Sequence, residues 1–384
     1  MDLFGDIGFF GYVVAAALPA IILGVREKSR KYYFIGISLI FVYMALESKP
    51  AAAAYLVGYI LYQYFLIIFY QGVLQTRGRK KHEFHIALAL SLAPLVIYKV
   101  GAHYWHLKIF AFIGISYMTF KALQIIIESY DGLIEKTNFG NYLGFMLNFS
   151  TILSGPIDRS RRFDEDLNRI IPKDDYLEMV GLGIYKILKG MVYKFVLAAG
   201  AYQAMTWLGN ASTFKGNLIY MYSYGAYLFF DFAGYSLMAI GTGYLFGIET
   251  PENFNAPFIS KNIKEFWDRW HITLSHWFRD FLYSRLMMDA IKSRRFKSKL
   301  LMSCGGFIIN MTVMGIWHGL DSYYILYGFY HGVLLALNEV YEKKCPFYKK
   351  HRKETWYIWV SRFVTLNLVM FGFFIFSGRL MKII

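Results

Sequence analysis

Long apolar runs dominate the chain, and short loops carrying much of the Lys and Arg separate them. A run of roughly 20 apolar residues is the length of a membrane-spanning helix, and somewhat shorter runs span where the bilayer thins. Such runs occupy 7–25, 32–46, 51–75, 84–100, 109–129, 179–208, 217–247, 300–320, 322–341 and 357–378. Each predicts a helix. Together they predict an all-α, polytopic membrane protein with ten or eleven spans. The run 137–157 is also apolar, but Gly140, Gly144, Gly155 and Pro156 interrupt it. It reads as a re-entrant or buried segment, because irregular backbone at membrane depth is tolerated only inside protein or beside water.

Residues 250–299 follow a different pattern. Apolar, aromatic and charged residues alternate there without a spanning run. Trp267, Trp270, Leu274, Trp277 and Phe278 recur at steps of three and four, which predicts a helix across Lys264 to Leu286. Asp268, Arg269, Arg279 and Asp280 are too many charges for a lipid-facing surface. The segment is therefore expected to form interfacial or re-entrant helices packed within protein.

Basic residues cluster after the first span (Arg26, Lys28, Arg30, Lys31), after the third (Arg77, Arg79, Lys80, Lys81), after the broken run (Arg159, Arg161, Arg162, Arg169), within Lys292 to Lys299 and within Lys343 to Lys353. Cytoplasmic loops are enriched in Lys and Arg. Placing all these clusters in the cytoplasm agrees with the span order and puts both termini outside.

Composition supports the membrane reading. Hydrophobic residues make up 57% and charged residues 17%, against about 25% charged in soluble domains. There is no linker, internal repeat or large polar block, so residues 1–384 read as a single membrane domain. The net charge of +15 does not indicate nucleic acid, because the basic residues lie between spans rather than on one soluble face. Cys304 and Cys345 give no disulfide framework. The first apolar run lacks a basic stretch before it and a cleavage site after it, so it is expected to remain as the first span.

Polar residues in apolar surroundings are costly and direct attention to chemistry. His318 follows a long uncharged stretch and sits in GIWHGL (Gly315 to Leu320). Histidine is the side chain best suited to moving a proton near neutral pH. The alternative for it is a core histidine bonded to a backbone carbonyl. His271 and His276 lie in the aromatic segment, where helix anchoring is the competing role. His331 reads as packing, and His82, His85, His103, His106 and His351 lie in or near loops. No HxxxH, HExxH or CxxC spacing marks a metal site, so none is expected. GxSxG and GxxxxGK[ST] are also absent.

The run Tyr227 to Leu286 and the element GIWHGL resemble the signatures of membrane-bound O-acyltransferases. Gly114 to Gly132 (GISYMTFKALQIIIESYDG) and Leu153 to Phe163 (LSGPIDRSRRF) extend the likeness over roughly residues 110–335. The resemblance puts His318 at the position of the family's catalytic histidine and makes His271 its companion. SGPIDRSRRF, RWHITLSHWFRDFLYSRL and the compact length are most similar to the D-alanyl-transferring branch, found in Gram-positive bacteria.

That resemblance implies several further features. Helices would surround a central tunnel, with Trp317, Trp270, Ser275, Asp231 and Asn255 as candidate substrate or tunnel residues. The donor would be D-alanine held as a thioester on the 4'-phosphopantetheine of an acidic carrier protein, with no cofactor bound by the chain. The acceptor would be a teichoic acid hydroxyl, reached directly or through a small membrane intermediary. Leu286, Met287 and Met288, followed by Arg294 and Arg295, are the candidate carrier-docking surface, with a lipid-lying amphipathic helix as the alternative. Rival readings are an O-acetyltransferase acting on a cell-wall or exported polysaccharide, a scaffold, and a transporter or flippase using Lys121, Lys186, Lys189, Lys194 and Asp231.

Overall fold

The computed structural model describes residues 3–107, 109–209, 213–293 and 298–383. Their backbone contacts gather into two compact units. Unit one is Met1–Met191 with Tyr235–Pro251, and unit two is Val192–Gly234 with Glu252–Ile384. Among the described residues the regular structure is helical, apart from one isolated antiparallel bridge between Phe254 and Trp270.

Unit one opens with α1 (Ile7–Val25), α2 (Lys31–Leu46), α3 (Pro50–Arg77) and α4 (Lys81–Trp105). Asp6 caps α1 by accepting from the Gly8 N–H at 3.0 Å. Pro50 starts α3, where its missing N–H costs nothing and its fixed φ suits a first helical position. α5 (Ile115–Asp131) begins later than the expected 109. Gly114 stops it at φ +81, with the Ile152 carbonyl packed where a side chain would stand. α6 (Phe139–Leu147) takes Gly140 and Gly144 into its helix, so the expected interruption comes later, where residues 148–155 turn without regular helix up to Pro156. α7 (Ser160–Asn168) and α8 (Lys173–Met191) complete the run.

α5 forms the centre of this unit, buried along nearly its whole length. Its neighbours satisfy its polar groups. Thr119 shares a hydrogen bond with Tyr59 (2.9 Å), Lys121 Nζ donates to the Phe145 carbonyl (2.7 Å), and Ser129 accepts from Gln71 (2.9 Å). Gln63 and Ser91 join α3 to α4 by a reciprocal pair, each bond 2.8 Å. Without water, such groups must find partners inside the protein.

Unit two contains α9 (Ala199–Trp207) and α10 (Phe214–Leu245), whose last turns from Tyr235 belong to unit one. Next come α11 (Ile263–Trp267), α12 (Ile272–Phe278), α13 (Ser284–Lys292), α14 (Lys299–His318), α15 (Ser322–Lys344), α16 (Pro346–His351) and α17 (Thr355–Phe376). Two stretches, Val192–Ala198 and Arg279–Tyr283, are wound as π-helix. The single helix expected across 264–286 is instead broken between α11 and α12. The Phe254–Trp270 bridge and the left-handed backbone of His271 interrupt it there.

Among the described residues, five helices are long and apolar enough to cross a membrane: α1 from Gly8, α3, α4, α14 and α17. α2 is apolar but has 16 residues. The remaining expected spans are helical too, as α5, α8 with α9, α10 and α15. Large apolar side chains on the outer faces remain uncovered, Phe69 and Phe363 among them, as lipid contact requires.

Glycines set the approach of α14 to α15. A Cβ on Gly328 would overlap the Met311 carbonyl and lie 3.0 Å from Gly315 Cα, and one on Gly332 would lie 2.8 Å from Ile308 Cα. Small residues permit this close backbone packing where the hydrophobic effect supplies no drive. Gly328→Val is therefore expected to force the pair apart at a cost of about 1–3 kcal/mol. A lowered midpoint in a thermal aggregation assay of the detergent-purified protein checks this. An unchanged midpoint would show that the pair tolerates wider spacing.

Candidate active site

The segment after α10 runs back antiparallel to the turn between α11 and α12. Phe254 opposite Trp270 fixes the register, so Asn253 faces His271 and Asn255 faces Arg269. Two backbone bonds hold it, Asn255 N–H to the Arg269 carbonyl and Ile272 N–H to the Asn253 carbonyl, each 2.9 Å. His271 occupies the left-handed region at φ +45, ψ +52, at the start of α12. A non-glycine residue there is uncommon and persists only when its surroundings hold it.

The surroundings hold it through Asn253, which is fully buried. Asn253 Oδ1 lies 3.0 Å from His271 Nδ1, 2.9 Å from Thr273 Oγ1 and 3.3 Å from the Thr273 backbone N. The Thr273 N–H can only donate, so the facing Asn253 atom is the carbonyl oxygen, which can only accept. His271 must therefore carry its proton on Nδ1, which leaves the Nε2 lone pair free in the neutral ring. Phe232 packs edge-on against the imidazole at 4.7 Å. Burial first, and the charge of His318 second, hold His271 well below the ordinary histidine range. The ring is thus neutral at physiological pH, and His318 lies within its electrostatic reach.

His318 ends α14 and is half-buried. Trp317 meets its ring at 4.7 Å and Phe376 of α17 at 5.2 Å, with Tyr324 and Tyr327 of α15 both at 6.3 Å. Gly319 is required beside it, because the Tyr324 ring occupies the space of a side chain. Three helices thus build one aromatic wall around the histidine.

The other candidates fall in different places. Trp270 is buried in an aromatic cluster, stacked on Phe266 at 5.6 Å and tilted against Phe373 at 4.7 Å. Ser275 Oγ donates to the Trp270 carbonyl at 3.2 Å. Asp231 forms an ion pair with Lys194. Asn255 is exposed and its carbonyl accepts from Arg269 at 3.1 Å. Leu286 and Met287 are partly buried on α13, and Met287 packs on Gly306 of α14; Met288 is exposed. Arg294 and Arg295 lie outside the described residues. The lysines of the transport reading also have structural partners: Lys121 and Lys194 as above, with Lys186 over the Tyr244 ring and Lys189 over the Tyr185 ring.

Asn253, Phe232, Tyr327 and Phe376 were not among the residues singled out from the sequence. His331 is fully buried beneath Tyr327 at 4.7 Å, and neither ring nitrogen has a hydrogen-bond partner among the described residues. Its packing on Phe266 and Trp267 agrees with a role in filling space.

The family model for membrane-bound O-acyltransferases matches residues 60–379. The chain belongs to the membrane-bound O-acyltransferase family. This acyltransferase is 39% identical to a teichoic acid D-alanyltransferase of Bacillus subtilis over 97% of its own length and 96% of that protein. It is 38% identical to a teichoic acid D-alanyltransferase of Streptococcus thermophilus over 99% and 96%. It is also 35% identical to a probable alginate O-acetylase of Pseudomonas aeruginosa, over 59% of this chain and 42% of the other. The acyltransferase is an enzyme and, with its five apolar helices, a membrane protein.

Removing the Asn253 acceptor should release the His271 tautomer. A buried hydrogen bond of this kind is worth roughly 1–3 kcal/mol, so Asn253→Ala is expected to slow acyl transfer about 10–100-fold. Asn253→Asp, which keeps the acceptor, should retain more activity. Equal loss in both variants, with folding intact, would show that Asn253 only supports the turn.

Proposed function

We propose that this acyltransferase moves D-alanine from a thioester on the phosphopantetheine of a small cytoplasmic carrier protein to hydroxyls of teichoic acid outside the membrane. The observation that carries this reading is the extent of the likeness. Relatives named teichoic acid D-alanyltransferase match along nearly the whole of both chains, whereas those named alginate O-acetylase match over little more than half of this one.

In this reading His318 is the general base. It takes the proton of the acceptor hydroxyl as the oxygen attacks the thioester carbonyl. The tetrahedral intermediate collapses, the C–S bond breaks, and the departing pantetheine sulfur recovers a proton from His318. Ester and free thiol result, and the thioester supplies the driving force. His271, neutral and with its Nε2 lone pair free, accepts a hydrogen bond from an N–H or O–H of the reactants and orients it. Its fixed Nδ1 proton argues against a role as oxyanion donor. The basic loops face the cytoplasm and both termini face outside, in keeping with the positions of Lys and Arg. Met288, exposed on α13, is the part of the docking surface best able to meet the carrier.

The test uses wild type and His318→Ala in vesicles, with carrier bearing radiolabelled D-alanine and lipoteichoic acid as acceptor. Wild type should move label from carrier to polymer, and His318→Ala should be slower by at least the roughly 10²–10⁴-fold that a general base contributes. Full activity in the variant would remove His318 from the mechanism. Wild type inert with D-alanyl carrier but active with an acetyl donor and a polysaccharide would favour O-acetyl transfer. In a pull-down, Met288→Asp should weaken carrier retention; unchanged retention by folded protein would exclude that docking surface.

A further inference from the structure

A groove of about 850 Å³ lies within unit two, between the later turns of α15 and the early turns of α17. It is distant from the chemistry. His318 precedes the start of α15, and the groove meets that helix from Leu334 to Tyr341, roughly 18–28 Å along it at 1.5 Å per residue. Its volume falls in the usual range for small-molecule sites, roughly 300–1,000 Å³.

The lining is graded along its length. Lys261, Arg352 and Lys353 stand at the rim nearest α16. Trp356 and Tyr357 come next, on the first turn of α17. Asn338 and Ser361 follow, one or two turns further in. Val364, Leu368 and Leu334 line the far end. Tyr357, Ser361, Val364 and Leu368 are spaced by four, three and four residues, so they share one face of α17. That face changes from aromatic to small polar to apolar over roughly 16 Å.

The acids near the rim are occupied. Glu354 accepts from the Trp356 indole and pairs with His351 (3.0 Å), Glu339 pairs with Lys343 (2.5 Å), and Glu342 accepts from Asn262 (3.1 Å). The Lys261, Arg352 and Lys353 side chains make no ion pair among the described residues, and Arg352 lies over the Tyr348 ring at 5.9 Å. Among the described residues, the Asn338 and Ser361 side chains make no hydrogen bond. The groove therefore offers positive charge, then an interfacial aromatic pair, then hydrogen-bonding groups, then an apolar floor. Basic pockets beside membrane helices take anionic lipid headgroups, and Trp and Tyr sit at headgroup level.

We propose that this groove binds one anionic glycerophospholipid, its phosphate at Lys261, Arg352 and Lys353, its ester region at Asn338 and Ser361, and an acyl chain along Val364, Leu368 and Leu334.

Native mass spectrometry of the full-length, detergent-purified protein with phosphatidylglycerol or phosphatidylcholine tests this. Wild type should retain one phosphatidylglycerol in preference to phosphatidylcholine. Lys261→Gln with Arg352→Gln should lower retention by about fivefold for each charge removed. Val364→Trp, which fills the apolar end and leaves the charges, should lower it as well. Lys349→Gln with Lys350→Gln, exposed charges on α16 outside the groove, should leave it unchanged. Each variant is compared only as a monodisperse peak in gel filtration. Equal loss in the α16 variant would mean diffuse attraction to anionic lipid and overturn the site. Full retention in Val364→Trp would overturn the acyl-chain assignment. Displacement of the lipid by inorganic phosphate alone would show an anion site without lipid recognition and overturn the proposal.

Discussion

One carbonyl oxygen organises the centre of unit two. Asn253 Oδ1 gathers donors from the backbone and hydroxyl of Thr273 and from the ring of His271. In buried surroundings a carbonyl serving donors on three sides cannot rotate without leaving polar groups unsatisfied, at roughly 1–3 kcal/mol each. It fixes the turn after α11, the left-handed backbone of His271 and the tautomer of its ring together. The antiparallel pairing of residues 253–255 with 269–271 exists to present that oxygen. The helices α10 and α12 then only have to deliver Phe232 and Thr273 to a centre whose hydrogen-bonding pattern is already decided.

The two histidines sit in different surroundings. His271 is built into a tight turn, buried and neutral. His318 is the last residue of a long apolar helix, half-buried among aromatic rings from α15 and α17. In the proposed mechanism, a rigid, pre-set His271 and a less enclosed His318 make a workable division for chemistry in which only one group has to change its protonation. The glycine-lined contact of α14 with α15 keeps His318 against Tyr324 and Tyr327 and so links a packing feature to the position of that histidine.

Much of the fold was legible from apolar run length, because a bilayer imposes a length on any helix that crosses it. Run length is a coarse gauge at the ends. It did not mark Gly114 as the start of α5, because that start depends on the Ile152 carbonyl, a contact distant in sequence. Nor did three-and-four spacing reveal the break before His271. The same aromatic spacing suits one long helix or two short ones around a turn, and the choice rests on the pairing register with residues 253–255. For the same reason Asn255 was singled out and Asn253 was not, although it is Asn253 that faces His271. His318 and His271 stood out as candidates from their motifs. The hydrogen-bonding state of His271 did not, because it depends on which way an amide points.

The π-wound stretch Arg279–Tyr283 has a consequence for how this chain can diverge. A wide turn holds one residue more than an α-helical turn. Deleting a single codon there would restore ordinary winding and leave α13 facing nearly as before, since five residues at π pitch and four at α pitch both turn the chain through roughly 400°. The joint can therefore lose one residue while the exposed face of α13, Met288 and Ile291 included, keeps its bearing. A change in length that would swing an ordinary helix is absorbed at this point, leaving the turn at His271 untouched.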